Sequence, residues 1–379
     1  MSLRTVKRYP NAPVEQLPTE WPEVIRQILA HRGITETEQL DLNLRGMAHY
    51  SQLRNIDAAC DALLQAREQN QAIVICGDFD ADGATSTALL MSALPEMGFH
   101  NVSYRVPNRM TEGYGLSAAI VDQLAEQQVG LIITVDNGIA AHDAATRAAE
   151  LGITLVITDH HLAPTTLPKA AAIVNPNQPG CEFPSKALAG VGVAFYLLAA
   201  LRARLREAGQ PTPNLADFLD LVALGTVADV VPLDKNNRIL VQQGLNRIKA
   251  GQCRAGIRAL IEQSGRDIAK LQASDLGFAI GPRINAAGRL DDISLGIECL
   301  LASSERAQQL AQTLCDLNKQ RREIEADMKA EAESIVSQLQ LDNQGQLPNV
   351  IVLYNEQWHS GVIGIVAGRV KERTHRPVI

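Results

Sequence analysis

Five short apolar runs between residues 72 and 175 constrain this chain more than any other feature. They read "AIVIC", "NVSYRV", "GLIITV", "TLVIT" and "AAIVN". Most lack the polar alternation of a half-solvated strand, so they read as strands covered on both faces. Helical stretches such as "ATSTALLMSALPEMG", "SAAIVDQLAEQQ" and "HDAATRAAELG" separate them. Strand and helix in turn predict an α/β fold built on a doubly wound, mostly parallel sheet.

At 379 residues the chain is too long for one ordinary domain. Residues 1–50 mix Pro10, Pro13, Pro18 and Pro22 with a short helical pattern, "EVIRQILAHRG", and read as an N-terminal arm packed on the next domain. Residues 51–300 are expected to form the sheet domain, mainly helical beyond about residue 186. "LGTVADVVPLDKNNR" and "GPRINAAGRLDD" are expected to interrupt those helices. From Ser303 to Asp342 there is neither proline nor glycine. Ala307, Leu310, Leu314, Leu317, Ile324, Met328, Ile335 and Leu339 keep a three-four spacing that breaks at Arg321. One helix of roughly 55–60 Å is predicted over 301–343, connecting two lobes. Residues 344–379 read as the start of a second, smaller α/β domain, with strands at "VIVLY" and "PVI". Being too short to bury a core of its own, this piece suggests a fragment of a longer protein.

Hydrophobic residues make up 46% of the chain and aromatic residues 4%, so the cores should be aliphatic. The net charge of −7 argues against a uniformly basic coat, though a local basic groove can sit on an acidic protein. Cys60, Cys76, Cys181, Cys253, Cys299 and Cys315 are scattered without a CxxC pair, which suits reduced thiols and offers no zinc site. No apolar run approaches membrane-spanning length. A soluble, cytoplasmic protein with no membrane partner is expected.

The first apolar run leads into "GDFDADGATS". Asp78, Asp80, Asp82 and Gly83 match the first half of an EF-hand loop. The twelfth position, which should be Glu, is Leu89, and a strand rather than a helix precedes the acids. The EF-hand reading fails. What remains is a strand running into an acidic turn that opens a helix, where ligands bind in open parallel sheets. "LIITVDNG" places Asp136 past a second strand end, and "LVITDHH" places Asp159, His160 and His161 past a third. Each alone reads most simply as a helix cap or solvated loop. Together they predict one cluster. Asp229, in the otherwise apolar "LGTVADVVPLD", needs a partner to offset its desolvation, and a metal ion would serve. Several carboxylates with imidazoles and no thiolate suit Mn²⁺ or Mg²⁺, two ions sharing a carboxylate, and phosphoester hydrolysis.

"DFDADG", "VDNG", "TDHH" and "GTVADVVPL" resemble the four motifs of the DHH phosphoesterase superfamily. "VPNRMTEGYGLS", "IVNPN", "FPSKALAGVGVAF" and "GFAIGPRINAAGRLDD" narrow the resemblance to its bacterial RecJ branch, from about residue 20 onward. That resemblance implies a 5′→3′ exonuclease hydrolysing single-stranded DNA to 5′-mononucleotides in repair and recombination. A single-strand-binding protein and a helicase would be its partners. It further implies that Asp80 and Asp82 are metal ligands, one for each ion, that Asp136 bridges the ions, and that His160 and Asp229 complete the set. Asp159 would orient the imidazoles and His161 would face the scissile phosphate. Asp78 stays open as a further ligand, because Cys76 stands where many members carry histidine.

By the same resemblance, Arg109, Tyr114, Arg283, Asn285 and Arg289 would contact DNA, small residues in "GPRINAAGR" letting the strand approach. "WHSGVIGIVAGR" looks like the start of the superfamily's DHHA1 domain, where His359, Ser360, Gly361 and Arg369 would face the DNA, with Ser360 a candidate helix cap. Two other readings stand beside this one. One is a phosphodiesterase acting on short oligoribonucleotides or cyclic dinucleotides; the other is a non-catalytic DNA-binding relative.

Overall fold

The structure, a computed structural model, describes residues 10–342 and 346–379, and the side chains of 341 and 342 are not among what it describes. The expected boundary at 343–344 and the first nine residues of the arm lie outside the described residues.

All five predicted strands form: β1 (Ala72–Cys76), β2 (Val102–Arg105), β3 (Val129–Val135), β4 (Thr154–Thr158) and β5 (Ala172–Val174). They make one parallel sheet in the order β2-β1-β3-β4-β5. Alternate residues of β1, β3, β4 and β5 enter different cores, which is why those runs carry no polar alternation, whereas the edge strand β2 exposes Ser103. Ile73, Ile75, Leu131 and Ile133 pack with α2 (Ile56–Glu68), α3 (Ala81–Glu96), α6 (Gly190–Glu207) and α7 (Leu219–Ala228). Val74, Cys76, Ile132 and Ile157 pack on the other face with α4 (Ala118–Glu126) and α5 (His142–Glu150). The chain leaves β1 toward β2 on one side and returns to β3 on the other. A cleft therefore opens between the carboxyl ends of β1 and β3.

The arm carries α1 (Glu23–His31), and its later part packs on α8 (Lys235–Lys249): Arg238 and Gln243 donate to the carbonyls of Gln39 and Leu42. The helical region continues through α9 (Ala255–Gln263), α10 (Ala273–Asp275), α11 (Gly281–Leu290) and α12 (Ser294–Leu301). Two expected interruptions need correction. "LGTVA" is the end of α7, so that break is confined to residues 229–234. "GPRINAAGRL" is α11 itself, reached through a widened turn at Leu276–Ile280 directly before Pro282, whose missing N–H breaks the regular ladder.

The predicted long helix is α13 (Ser304–Asp342). Its far half forms a separate core, Met328, Ala332 and Val336 against Ile351 and the apolar face of α14 (Ser360–Thr374). "VIVLY" and "PVI" meet only in a parallel bridge, Ile351 with Val378, rather than as the two strands expected. With no further strand beside them, the pair gains too few hydrogen bonds and too little burial to extend.

Candidate metal centre

Each acidic residue is placed by the end of a regular element. Asp80 caps the N-terminus of α3, its carboxylate accepting from the amides of Asp82 (2.7 Å) and Gly83 (3.1 Å). Asp82, in the first turn of α3, is buried and faces the start of α6, accepting from Gly190 N (2.6 Å) and Val191 N (2.9 Å). Two amides of an open helix end thus hold a carboxylate, as the helix dipole favours. Asp136 follows β3 with φ at +61°, a left-handed conformation that costs a non-glycine residue on the order of 1 kcal/mol. Asp229 terminates α7. Ligand atoms of Asp78, Asp80 and Asp136 lie within 4.8 Å of one another, as do those of Asp82, His160 and Asp229, and those of Asp136, His160 and His161. The three strand ends and the end of α7 converge.

The electrostatics are those of an uncompensated anion cluster. Burial first, and neighbouring carboxylates second, push Asp78 and Asp136 well above the usual carboxylate range and Asp82 and Asp229 up to about 7. His160 Nε2 is 3.0 Å from Asp136 Oδ1 and 3.5 Å from Asp229 Oδ2. Neither oxygen accepts a hydrogen bond among the described residues, although both are shielded from solvent. Buried carboxylate oxygens without donors are rare and need an explanation. Divalent cations, hard acids that prefer oxygen with some imidazole, fit this donor set. Cys76 does not join it. Its side chain lies in the core beneath α4 and α5, and burial raises its thiol to about 12, so no thiolate is available.

Asp159 orients one imidazole rather than two. Its Oδ1 takes Nδ1 of His161 at 2.7 Å, whereas His160 is bound only through its backbone N–H, also at 2.7 Å. Burial alone would raise Asp159, but the His161 contact and backbone donors leave it below its usual range, and the same bond raises His161. Burial lowers His160. His161 and Asp159 line a cavity of about 670 Å³ with Tyr114, Leu116, Ala141 and Leu162.

The residues expected to meet DNA divide. Arg109 stacks over Phe79, 4.7 Å from its ring centroid, and Tyr114 donates to the Asp136 carbonyl at 3.1 Å beside both Phe79 and His161. Arg289 stands within electrostatic reach of Asp80 and Arg109. Asn285, however, uses its oxygen to hold the Ala81 amide at 2.7 Å, and Arg283 binds Cys315 Sγ and the Ala279 carbonyl at the contact with α13. The glycines of α11 pack closely against other parts of the protein. A Cβ on Gly288 would lie 2.0 Å from the Phe79 carbonyl. Gly361 is equally tight, 2.1 Å from the Arg289 carbonyl. His359, not Ser360, caps α14 by accepting from Gly361 N, and Ser360 donates to Met110 Sδ at 3.2 Å. Arg369 pairs with Glu325 and Glu372.

Several contributors went unread in the sequence. Asn137 ties three segments together, donating to the carbonyls of Cys76 and Val135 and accepting from Leu116 N. Asn175 and Asn177 hold the carbonyls of His161 and His160. The asparagine pair flanking Pro176 directly after a strand was a usable signal for a built loop. Gly83 is a further constraint: a Cβ there would fall 1.9 Å from Asp78 Oδ1 and 2.9 Å from the Asp78 backbone. Gly83→Ala is therefore expected to cost roughly 1–3 kcal/mol by overpacking. Thermal unfolding of the purified variant measures this, and an unchanged midpoint would mean the turn can yield.

The DHH family, N-terminal domain, matches residues 72–226. The single-stranded-DNA-specific exonuclease RecJ of Dickeya dadantii (strain 3937) is 56% identical over 381 residues, 99% of this chain and 66% of that protein. A crystal structure of exonuclease RecJ bound to manganese is 37% identical, with a TM-score of 0.76 over 86% of this chain and 79% of that one. RecJ from Thermus thermophilus, in complex with Mn²⁺, is 33% identical with a TM-score of 0.79, over 97% and 53% of the two chains. The chain thus spans just under two thirds of the length of the curated relatives it first matches, 66% for the Dickeya dadantii and Salmonella typhimurium proteins alike. No helix among the described residues is long and apolar enough to cross a membrane. Sheet order, converging acids and matched segments agree: the chain belongs to the RecJ family of DHH proteins.

Proposed function

We propose that the chain is the catalytic core of a metal-dependent 5′→3′ exonuclease that hydrolyses single-stranded DNA to 5′-mononucleotides. The observation that carries this is the pair of buried oxygens on Asp136 and Asp229 that accept no hydrogen bond among the described residues, inside a ring of carboxylates and imidazoles. Two ions, Mn²⁺ or Mg²⁺, would be held by Asp80 and Asp78 on one side and by Asp82, His160 and Asp229 on the other, with Asp136 between. When bound, such a pair supplies charge stabilisation to the attacking and leaving oxygens of an in-line displacement at phosphorus.

The chain's own residues do the rest. Asp159 fixes the ring of His161 by its Nδ1 and raises its pKa, which favours the charged ring whose Nε2 would donate to a phosphate oxygen. The amides of Gly190 and Val191 favour the ionised form of Asp82 and offset part of the effect of its burial. Arg109, Tyr114 and Arg289, with Arg369 and the start of α14, would line the strand's path, and Asn285 and Arg283 would position α3 and α13 rather than touch DNA. The cavity beside His161 has the volume for a nucleoside unit. On this reading the protein works in the cytoplasm, in repair and recombination, on strands exposed by a helicase and covered by a single-strand-binding protein.

The test compares a 5′-labelled single strand, the same strand in a blunt duplex, and a dinucleotide, each with Mn²⁺ and with chelator. Mononucleotide release from the single strand alone, abolished by chelator, is expected. Faster turnover of the dinucleotide would favour the short-oligonucleotide reading, and DNA binding without hydrolysis would favour the non-catalytic one.

A further inference from the structure

The long helix carries a polar break that the centre does not use. We propose that Arg321 is a phosphate-binding residue, aimed by Asn318 and Glu325, that grips a backbone phosphate of the strand next to the scissile one. This rests on the nuclease reading above.

Arg321 stands where the three-four apolar spacing of α13 fails, yet it is not solvated as a polar helix position would be. Its side chain keeps only 15% of its accessible surface, and so does that of Glu325. One guanidinium nitrogen donates to Asn318 Oδ1 at 2.8 Å and another to Glu325 Oε2 at 2.5 Å. Asn318 is itself buried, which is unfavourable for an amide unless it orients something. An exposed i,i+4 pair would contribute little and need no such support.

Charge counting around this group does not close. Glu325 also takes Arg369 at 3.4 Å, so one carboxylate serves two guanidiniums. Arg289 donates to the Gly361 carbonyl at 3.1 Å and Arg109 stacks on Phe79; among the described residues neither has an ion-pair partner. Arg289 feels Arg109, Arg321, Glu325 and Asp80, so it stands between the connector helix and the acidic centre. Burial, then Arg109 and Arg321, draw Arg289 below its usual range, as expected of crowded like charges. Planar guanidiniums from the 107–116 loop, α11, α13 and α14 thus converge, four of them with two paired carboxylates, Glu325 and Glu372. A phosphodiester is the anion whose geometry they match, through paired N–H donors. Arg321 is the member held from both sides by residues of its own helix, Asn318 and Glu325.

The experiment uses the full chain with Mn²⁺ and a labelled single strand, comparing wild type, Arg321→Gln and Arg321→Lys. Arg321→Gln is expected to raise KM about tenfold or more with kcat within about threefold, and to reduce the salt slope of binding by about one. Arg321→Lys should recover part of the affinity. The Mn²⁺-induced rise in Tm should match wild type, which a merely structural role would disturb. Unchanged KM and salt slope overturn the assignment, and so does a loss of activity accompanied by a lost Mn²⁺ shift. A wild-type chain inert on single strands overturns the nuclease reading, and this assignment with it.

Discussion

Replacing Asp136 by asparagine is expected to abolish hydrolysis of single-stranded DNA while leaving the metal-free fold at least as stable as wild type. Asp136 sits between the two ligand groups, and one of its oxygens has no donor. Asparagine keeps the shape but removes the charge that would hold two cations. Metal ions typically supply several kcal/mol of transition-state stabilisation. At about 1.4 kcal/mol per tenfold, a loss of roughly a thousandfold or more in kcat results. The metal-free fold responds in the opposite direction. Asparagine tolerates φ of +61° better than most residues, and neutralising one of several crowded carboxylates relieves repulsion. The metal-free Tm should therefore hold or rise by a few degrees, while the Mn²⁺-induced rise shrinks. Calorimetry with and without Mn²⁺, beside a single-strand digestion assay, measures all three. Retained activity would remove Asp136 from the centre; a collapsed Tm would make its role architectural.

The second large effect is the loss of metal-free stability as pH rises. Asp78, Asp82, Asp136 and Asp229 hold their protons more tightly folded than unfolded, Asp82 and Asp229 up to about 7. Their favourable contribution is complete below the ordinary carboxylate range; that of Asp82 and Asp229 disappears as pH rises through about 7, and that of Asp78 and Asp136 as pH passes their own raised values. His160, lowered by burial, opposes this over a narrower span, gaining stability as pH rises toward its ordinary value. The Asp159–His161 pair adds stability that persists until pH passes the raised His161 value. Carboxylates outnumber the opposing histidine, so the chelated protein should lose on the order of 5 °C or more in Tm between pH 5.5 and 8.5. Mn²⁺ should restore more at pH 8.5 than at 5.5, because cations compete with protons for the same oxygens. A flat Tm without metal, or equal Mn²⁺ shifts at both pH values, would contradict this account.

The strands were readable because burial on both faces leaves a mark: "TLVIT" sets three consecutive apolar residues between two β-branched threonines, and β4 begins and ends where that run does. The long helix was readable for the opposite reason, since the absence of proline and glycine over forty residues leaves few alternatives. "GPRINAAGR" misled as an interruption, since it is helical, and its glycines and alanines look alike in sequence whether they admit a ligand or a neighbouring backbone. Only packing tells that Gly288 faces the Phe79 carbonyl. Asn285 was likewise ambiguous in sequence, an amide being equally able to bind a phosphate or to hold the Ala81 amide as it does.

What the amino-acid sequence determined by itself was local: where each strand ends, and that an acid or imidazole comes directly after it. Parallel strands put those ends on one edge, so the cluster of Asp80, Asp136 and His160 was implied before any coordinate. Tertiary structure decided which oxygens remain without donors, which imidazole Asp159 holds, and which arginines keep their charge uncompensated. Those properties belong to pairs of residues distant in the chain, such as Gly190 with Asp82 or Glu325 with Arg369, and no local pattern encodes them. Burial turns the same carboxylate from a solvated cap into a cation site, and burial is a property of the packed whole.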